Sequence, residues 1–128
     1  MKTILIVDDD EEMIGAVQLM LKLLKYQSQY FLSARPAAQS FKEGKRPDAL
    51  ILDINMPEVS GMDLLEYLRK QLLWKDLPII MLSTEAADVQ VDQALAMGAD
   101  AYVTKPVSLD ELEAALAKAF KAHPGAEK

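Results

Sequence analysis

The chain has 128 residues, 51% of them hydrophobic and 27% charged, which is the length of a single domain and enough apolar material for one core without metal or disulfide staples. Cysteine is absent, which excludes a disulfide framework and any thiolate metal site and fits a reducing, cytoplasmic setting. The net charge of −6 argues against the broad basic surface that tracks nucleic acid. The amino-terminal run Met1 to Ile4 resembles neither a signal peptide nor a membrane span, so neither nucleic acid nor membrane is expected as a direct partner.

Ile4-Leu5-Ile6-Val7 is a β-branched apolar run ending at Asp8-Asp9-Asp10, the pattern of a strand buried on both faces. Met13, Ile14, Val17, Met20, Leu21 and Leu24 follow at helical spacing, with acidic residues ahead of them at the positive end of the helix dipole. Asp10 reads as the cap of that helix, and its methionines as core. Tyr30-Phe31-Leu32 is a weaker strand, and Pro36 suits the first turn of a helix with Ala37, Ala38 and Phe41 on its apolar face. Gly44 and Pro47 break the chain before a second strong strand, Ala49-Leu50-Ile51-Leu52, which ends at Asp53.

Ser60 with Asp63 caps a helix whose inward face holds Leu64, Leu65 and Leu68, and Trp74 beyond it is read as core packing. Ile79-Ile80-Met81-Leu82 is a further buried strand ending at Ser83-Thr84. Val89, Val91, Leu95 and Met97 then suggest a helix stopped by Gly98. Ala101-Tyr102-Val103 is the last strand, closed by Lys105-Pro106. Ser108 with Glu111 forms a capping box for a final helix carrying Leu109, Leu112, Leu116 and Phe120. The stretch from His123 to Lys128 reads as a frayed tail or the start of a linker, which gives a domain over 1–122 and a tail over 123–128. His123 has no cysteine or second histidine near it and is left out of any metal site.

Strand runs alternating with helical patterns imply parallel strands joined by right-handed crossovers, a doubly wound α/β fold with five strands and five helices. In such sheets the functional groups gather beyond the carboxyl ends of the strands. Asp8, Asp9, Asp53, Ser83 and Lys105 all fall there. Three carboxylates held together repel one another and call for a hard divalent cation. Magnesium suits oxygen ligands of this kind, and calcium suits them less specifically. Asp53 is then the nucleophile toward a phosphoryl group, Lys105 a second positive charge, and the Ser83 hydroxyl and Thr84 amide are donors to a phosphoryl oxygen.

These segments resemble the receiver domains of two-component response regulators over roughly residues 3 to 121. Ile6-Val7-Asp8-Asp9 is similar to the family's acidic pair, and Leu52-Asp53-Ile54-Asn55-Met56-Pro57 with Gly61 to its phosphorylation segment. Leu82-Ser83 matches its hydroxyl position, and Ala101-Tyr102-Val103-Thr104-Lys105-Pro106 its switch aromatic, lysine and proline. The resemblance implies a flavodoxin-like strand order 2-1-3-4-5 and a Mg2+ ion, with Mn2+ as substitute, held by Asp8, Asp9, Asp53 and the backbone carbonyl of Asn55. It also implies a cis Lys105–Pro106 bond and a switch in which Ser83 and Tyr102 move together and remodel the face made by helix 4, strand 5 and helix 5. Thr84 stands where the family often has a small residue. Asn55 and Glu85 occupy positions where the family tunes dephosphorylation. The implied partners are a sensor histidine kinase or histidine phosphotransfer protein, an effector protein or an output domain outside this chain, and a second copy in a phosphorylation-dependent dimer.

Three rivals are weighed against this reading. An aspartate-nucleophile phosphatase would use the same carboxylate, magnesium and lysine, but its Asp-x-Asp motif is missing, because Asn55 holds the second position. A flavin-binding module of similar fold needs a phosphate loop after the first strand, where three acids stand instead. An unphosphorylated scaffold of receiver shape would have no use for the full set of site residues. The expectation is a signalling domain that catalyses only its own phosphorylation and dephosphorylation.

Overall fold

Strands form where short apolar runs can be buried on both faces. The computed structural model describes residues 1–124. In it the runs become β1 (Thr3–Val7), β3 (Ala49–Asp53) and β4 (Ile79–Ser83), with every residue of β3 and β4 buried. β2 (Gln27–Phe31) and β5 (Ala101–Thr104) complete one parallel sheet in the order β2-β1-β3-β4-β5. The edge position of β2 explains why it begins earlier than the apolar Tyr30-Phe31-Leu32 run suggests. With one neighbour only, it pairs through Gln27, Ser28 and Gln29, while Leu32 lies outside the strand and is exposed.

Helices α1 (Glu11–Leu23) and α5 (Leu109–Ala122) cover one face of the sheet; α2 (Ala34–Lys42), α3 (Gly61–Arg69) and α4 (Asp88–Ala96) cover the other. Two cores result. On the first face Ile14, Val17 and Leu21 of α1 and Leu112, Leu116 and Phe120 of α5 pack on Ile4, Ile6, Ile51 and Ile80, with Met13 and Met20 partly buried against them. On the second face Phe41, Leu64, Leu65, Leu68 and Trp74 pack on Leu5, Leu50, Leu52 and Ile79. Trp74 is a core residue, edge-on to Phe41 with ring centroids 5.1 Å apart.

Capping boxes start α3 at Ser60 and Asp63 and α5 at Ser108 and Glu111. Helix α4 is anchored more lightly than its apolar spacing suggests. Its one buried residue is Ala94, while Val89 and Leu95 point outward. Gly98 ends it at φ +110°, a backbone geometry that glycine adopts without strain.

The carboxyl end of α5 differs from the frayed tail expected there. His123 lies against the sheet's amino-terminal edge, with Nε2 2.9 Å from Asp100 Oδ1. The other oxygen of Asp100 accepts from Arg69 at 3.1 Å and from the Ile79 amide at 2.9 Å. The remainder of that tail, residues 125–128, lies outside the described residues.

Candidate functional site

The strand register sets four chain ends beside one another. Val7 pairs with Leu52, which brings Asp8 level with Asp53. Asp53 pairs with Leu82, and Ser83 with Thr104, so Ser83 and Lys105 stand on successive steps beside it. Asp8, Asp53 and Ser83 are the buried polar residues among those described, 0%, 2% and 0% exposed. Carboxylate oxygens of Asp8, Asp9 and Asp53 all lie within 4.8 Å of one another. Lys105 Nζ reaches across from β5 to 3.1 Å from Asp8 Oδ2 and 3.2 Å from Asp53 Oδ1. The Lys105–Pro106 peptide bond is cis.

Charge balance in this cup is incomplete. Burial and the neighbouring Asp8 push the Asp53 carboxyl up to about 6, against the opposing pull of Lys105. Burial works against the charged form of Lys105, but contact with Asp8 and Asp53 outweighs it and holds the ammonium above its usual range. One oxygen of Asp8 accepts from the Asp10 amide at 2.9 Å. The other, Oδ2, is buried without any hydrogen-bonding donor, because Lys105 approaches it outside hydrogen-bonding geometry. A buried, unsatisfied carboxylate oxygen beside two further carboxylates is a donor set suited to a hard divalent cation. The residues present therefore fit Mg2+.

The pKa of Asp53 sets the sign of a stability test. Its folded-state value lies above the unfolded 3.8, so the folded chain holds the extra proton between about pH 4 and 6. Stability therefore falls as pH rises through that window. The full penalty at higher pH is roughly 3 kcal/mol. Asp53→Asn carries no ionisation and is expected to be more stable than the parent by about 2 kcal/mol at pH 7.5 in chelator, with the gain gone at pH 4. Urea unfolding at the two pH values measures it. An equal gain at both would show that charge is not its source.

The other residues singled out from sequence lie around the cup. Ser83 Oγ accepts from the Glu85 amide at 3.0 Å, and the Glu85 carbonyl accepts from the Tyr102 hydroxyl at 2.6 Å, so strand ends β4 and β5 are joined through Glu85. The Tyr102 ring packs partly buried against the second-face core. Thr84, Glu85 and Asn55 are exposed, Asn55 two residues past β3 on the loop to α3. The link from Ser83 through Glu85 to Tyr102 had no signal in the sequence, because it runs through backbone atoms of a loop. The Asp10 amide bond to Asp8 escaped sequence reading for the same reason.

Residues 4–117 match the response regulator receiver domain family. The chain belongs to that family. Among curated relatives of this receiver domain, the transcriptional regulatory protein KdpE of Mycobacterium tuberculosis is 34% identical over 98% of the chain and 54% of the relative. The phosphate regulon transcriptional regulatory protein PhoB of Pseudomonas aeruginosa is 37% identical over 90% of the chain and 50% of the relative. The chain thus spans about half the length of these relatives. Among solved structures, a putative response regulator from Chloroflexus aurantiacus superposes with a TM-score of 0.88 at 31% identity, covering 94% of this chain and 98% of that one. The chemotaxis protein CheY4 of Vibrio cholerae gives 0.83 at 30% identity, covering 93% and 98%. No helix among the described residues of this receiver domain is long and apolar enough to cross a membrane.

Proposed function

We propose that this receiver domain is a phosphorylation-controlled switch that accepts a phosphoryl group on Asp53 from the phosphohistidine of a sensor kinase or phosphotransfer protein, in a reaction dependent on Mg2+. The observation that carries the reading is the position of Lys105 Nζ, 3.1 Å from Asp8 and 3.2 Å from Asp53 beside a third carboxylate. One ammonium cannot balance three carboxylates, and the deficit is what a bound divalent cation makes up.

In the proposed step a carboxylate oxygen of Asp53 forms a bond to phosphorus while the P–N bond to the donor imidazole breaks. The electron pair leaves with the imidazole nitrogen, which takes up a proton. Lys105 neutralises charge on one transferring oxygen, and the Ser83 hydroxyl and Thr84 amide donate to another. Asp8, Asp9, Asp53 and the Asn55 carbonyl would hold a magnesium ion, which would supply further positive charge to the phosphoryl group. The reverse of signalling is attack of water on phosphorus, which breaks the Asp53 O–P bond and releases phosphate. Thr84, Asn55 and Glu85 flank that approach, and the domain turns over only its own phosphoryl group.

Ser83 Oγ is held by the Glu85 amide, and Glu85 in turn holds Tyr102. Drawing Ser83 toward a phosphoryl oxygen competes with the first contact and is passed to the second, which couples the site to the face formed by α4, β5 and α5. The two arrangements form an equilibrium that phosphate contacts bias. That face is the proposed output surface for an effector protein, for an output domain outside this chain, or for a second phosphorylated copy. The receiver unit is taken as 1–122, with His123 docked on Asp100 at its end, and it is taken to work in the cytoplasm.

The test is to incubate the protein with Mg2+ and a small acyl phosphate and weigh it intact. A gain of one phosphoryl group is expected, lost in chelator and in Asp53→Ala. Absence of an adduct, together with failure to bind a beryllofluoride mimic, would mark an unphosphorylated scaffold instead.

A further inference from the structure

We infer that Asp10 is a positioning residue for the metal site, holding Asp8 so that a single carboxylate oxygen, Oδ2, is offered to the cation; this rests on the reading of Asp8, Asp9 and Asp53 as a metal cup. Asp10 is fastened to the first turn of α1 at three points. Its side chain accepts from the Glu12 amide at 3.0 Å and the Met13 amide at 3.3 Å, and its carbonyl accepts from the Ile14 amide at 3.0 Å. Ile14, Val17 and Leu21 lock that helix into the core. The one remaining backbone group of Asp10, its N–H, points back along the chain and donates to Asp8 Oδ1 at 2.9 Å.

The consequence is geometric. A carboxylate with one oxygen tied to a fixed amide is held against rotation, which favours coordination through its other oxygen. Its other oxygen is buried and without a hydrogen-bonding donor. The helix cap and the orientation of the ligand are therefore one device: the side chain of Asp10 fixes the peptide whose N–H fixes Asp8. Such outer contacts to a ligating carboxylate tune metal affinity without touching the metal. A rival explanation is that Asp10 acts only as an exposed negative charge near the cup. Asparagine separates the two, because it keeps the capping oxygen and lacks the charge.

The test is to titrate Mg2+ into the full chain, following amide shifts by NMR, and Mn2+ by the loss of its free-ion resonance, for the parent, Asp10→Ala and Asp10→Asn. Urea unfolding in chelator runs alongside to read the cap itself. Asp10→Ala is expected to weaken both ions about tenfold, the low end of what outer contacts cost, while Asp10→Asn stays within about twofold of the parent. Asp10→Ala that loses stability yet binds as the parent does would overturn the inference and leave Asp10 a cap alone. Asp10→Asn as weak as Asp10→Ala would overturn it in favour of charge. A parent chain without saturable binding would remove the metal-cup reading itself, and the inference with it.

Discussion

Lys105→Met is expected to take up a phosphoryl group at Asp53 about a hundredfold to a thousandfold more slowly than the parent, while binding Mg2+ more tightly. Both effects come from one atom. Lys105 Nζ lies between Asp8 and Asp53, and contact with those carboxylates keeps it protonated across the physiological range. In the transfer step it faces charge that develops on the phosphoryl oxygens, and removing one preorganised donor of that kind costs roughly 10²–10³ in rate. Methionine preserves the length and apolar stem of the side chain, so the loss is of charge rather than of packing. Without a metal, the same ammonium is the cation nearest Asp8 Oδ2, and its removal leaves three carboxylates with no counter-charge. The cup then attracts a divalent ion more strongly, and the Asp53 carboxyl loses the contact that holds its pKa down. Mass gain with time under an acyl phosphate gives the rate, and Mg2+ titration the affinity. An unchanged rate would remove Lys105 from the chemistry. An unchanged affinity would mean that it does not compete with the metal.

The parts of this molecule that were readable from sequence are those whose environment is symmetric or terminal. β3 and β4 are buried on both faces, so an unbroken apolar run such as Ala49 to Leu52 has little alternative to a central strand. The cup was readable for a related reason. Asp8, Asp53 and Ser83 each follow directly on such a run, Lys105 follows the shorter edge strand β5, and parallel strands bring equivalent ends to one edge. β2 has one neighbour and takes polar residues into its pairing, so apolar content misplaced its start. Helix α4 carries Val89 and Leu95 on its exposed side, and apolar identity alone does not say which face is covered. Several contacts were not readable: Asp10 N–H to Asp8 and Glu85 to Ser83 and Tyr102 around the cup, and His123 to Asp100 at the opposite edge of the sheet. Each depends on the path of a loop or a helix end, which residue type does not determine.

Gly61→Ala is expected to destabilise the domain by about 3 kcal/mol and to disturb Asp53 directly, although alanine is the better helix former. Gly61 is the first residue of α3, and its amide donates to the Ile54 carbonyl at 2.9 Å. A methyl group there would overlap the carbonyl oxygen of Asp53 and stand 2.8 Å from its carbonyl carbon. The obstacle is main chain on both sides, so no side chain can rotate away. Relief requires either that α3 lift, which draws Leu64 and Leu65 from the second-face core, or that the end of β3 turn, which moves the Asp53 carboxylate relative to Lys105. Helix propensity alone predicts the opposite sign, a gain of roughly 1 kcal/mol for alanine over glycine. Urea unfolding therefore decides between the two by sign. Phosphoryl uptake measured well below the unfolding midpoint separates the two routes of relief, since only a displaced β3 end slows the reaction in protein that is still folded. A variant more stable than the parent would show that the backbone at Asp53 yields freely, and that contact with Gly61 does not hold the acceptor in place.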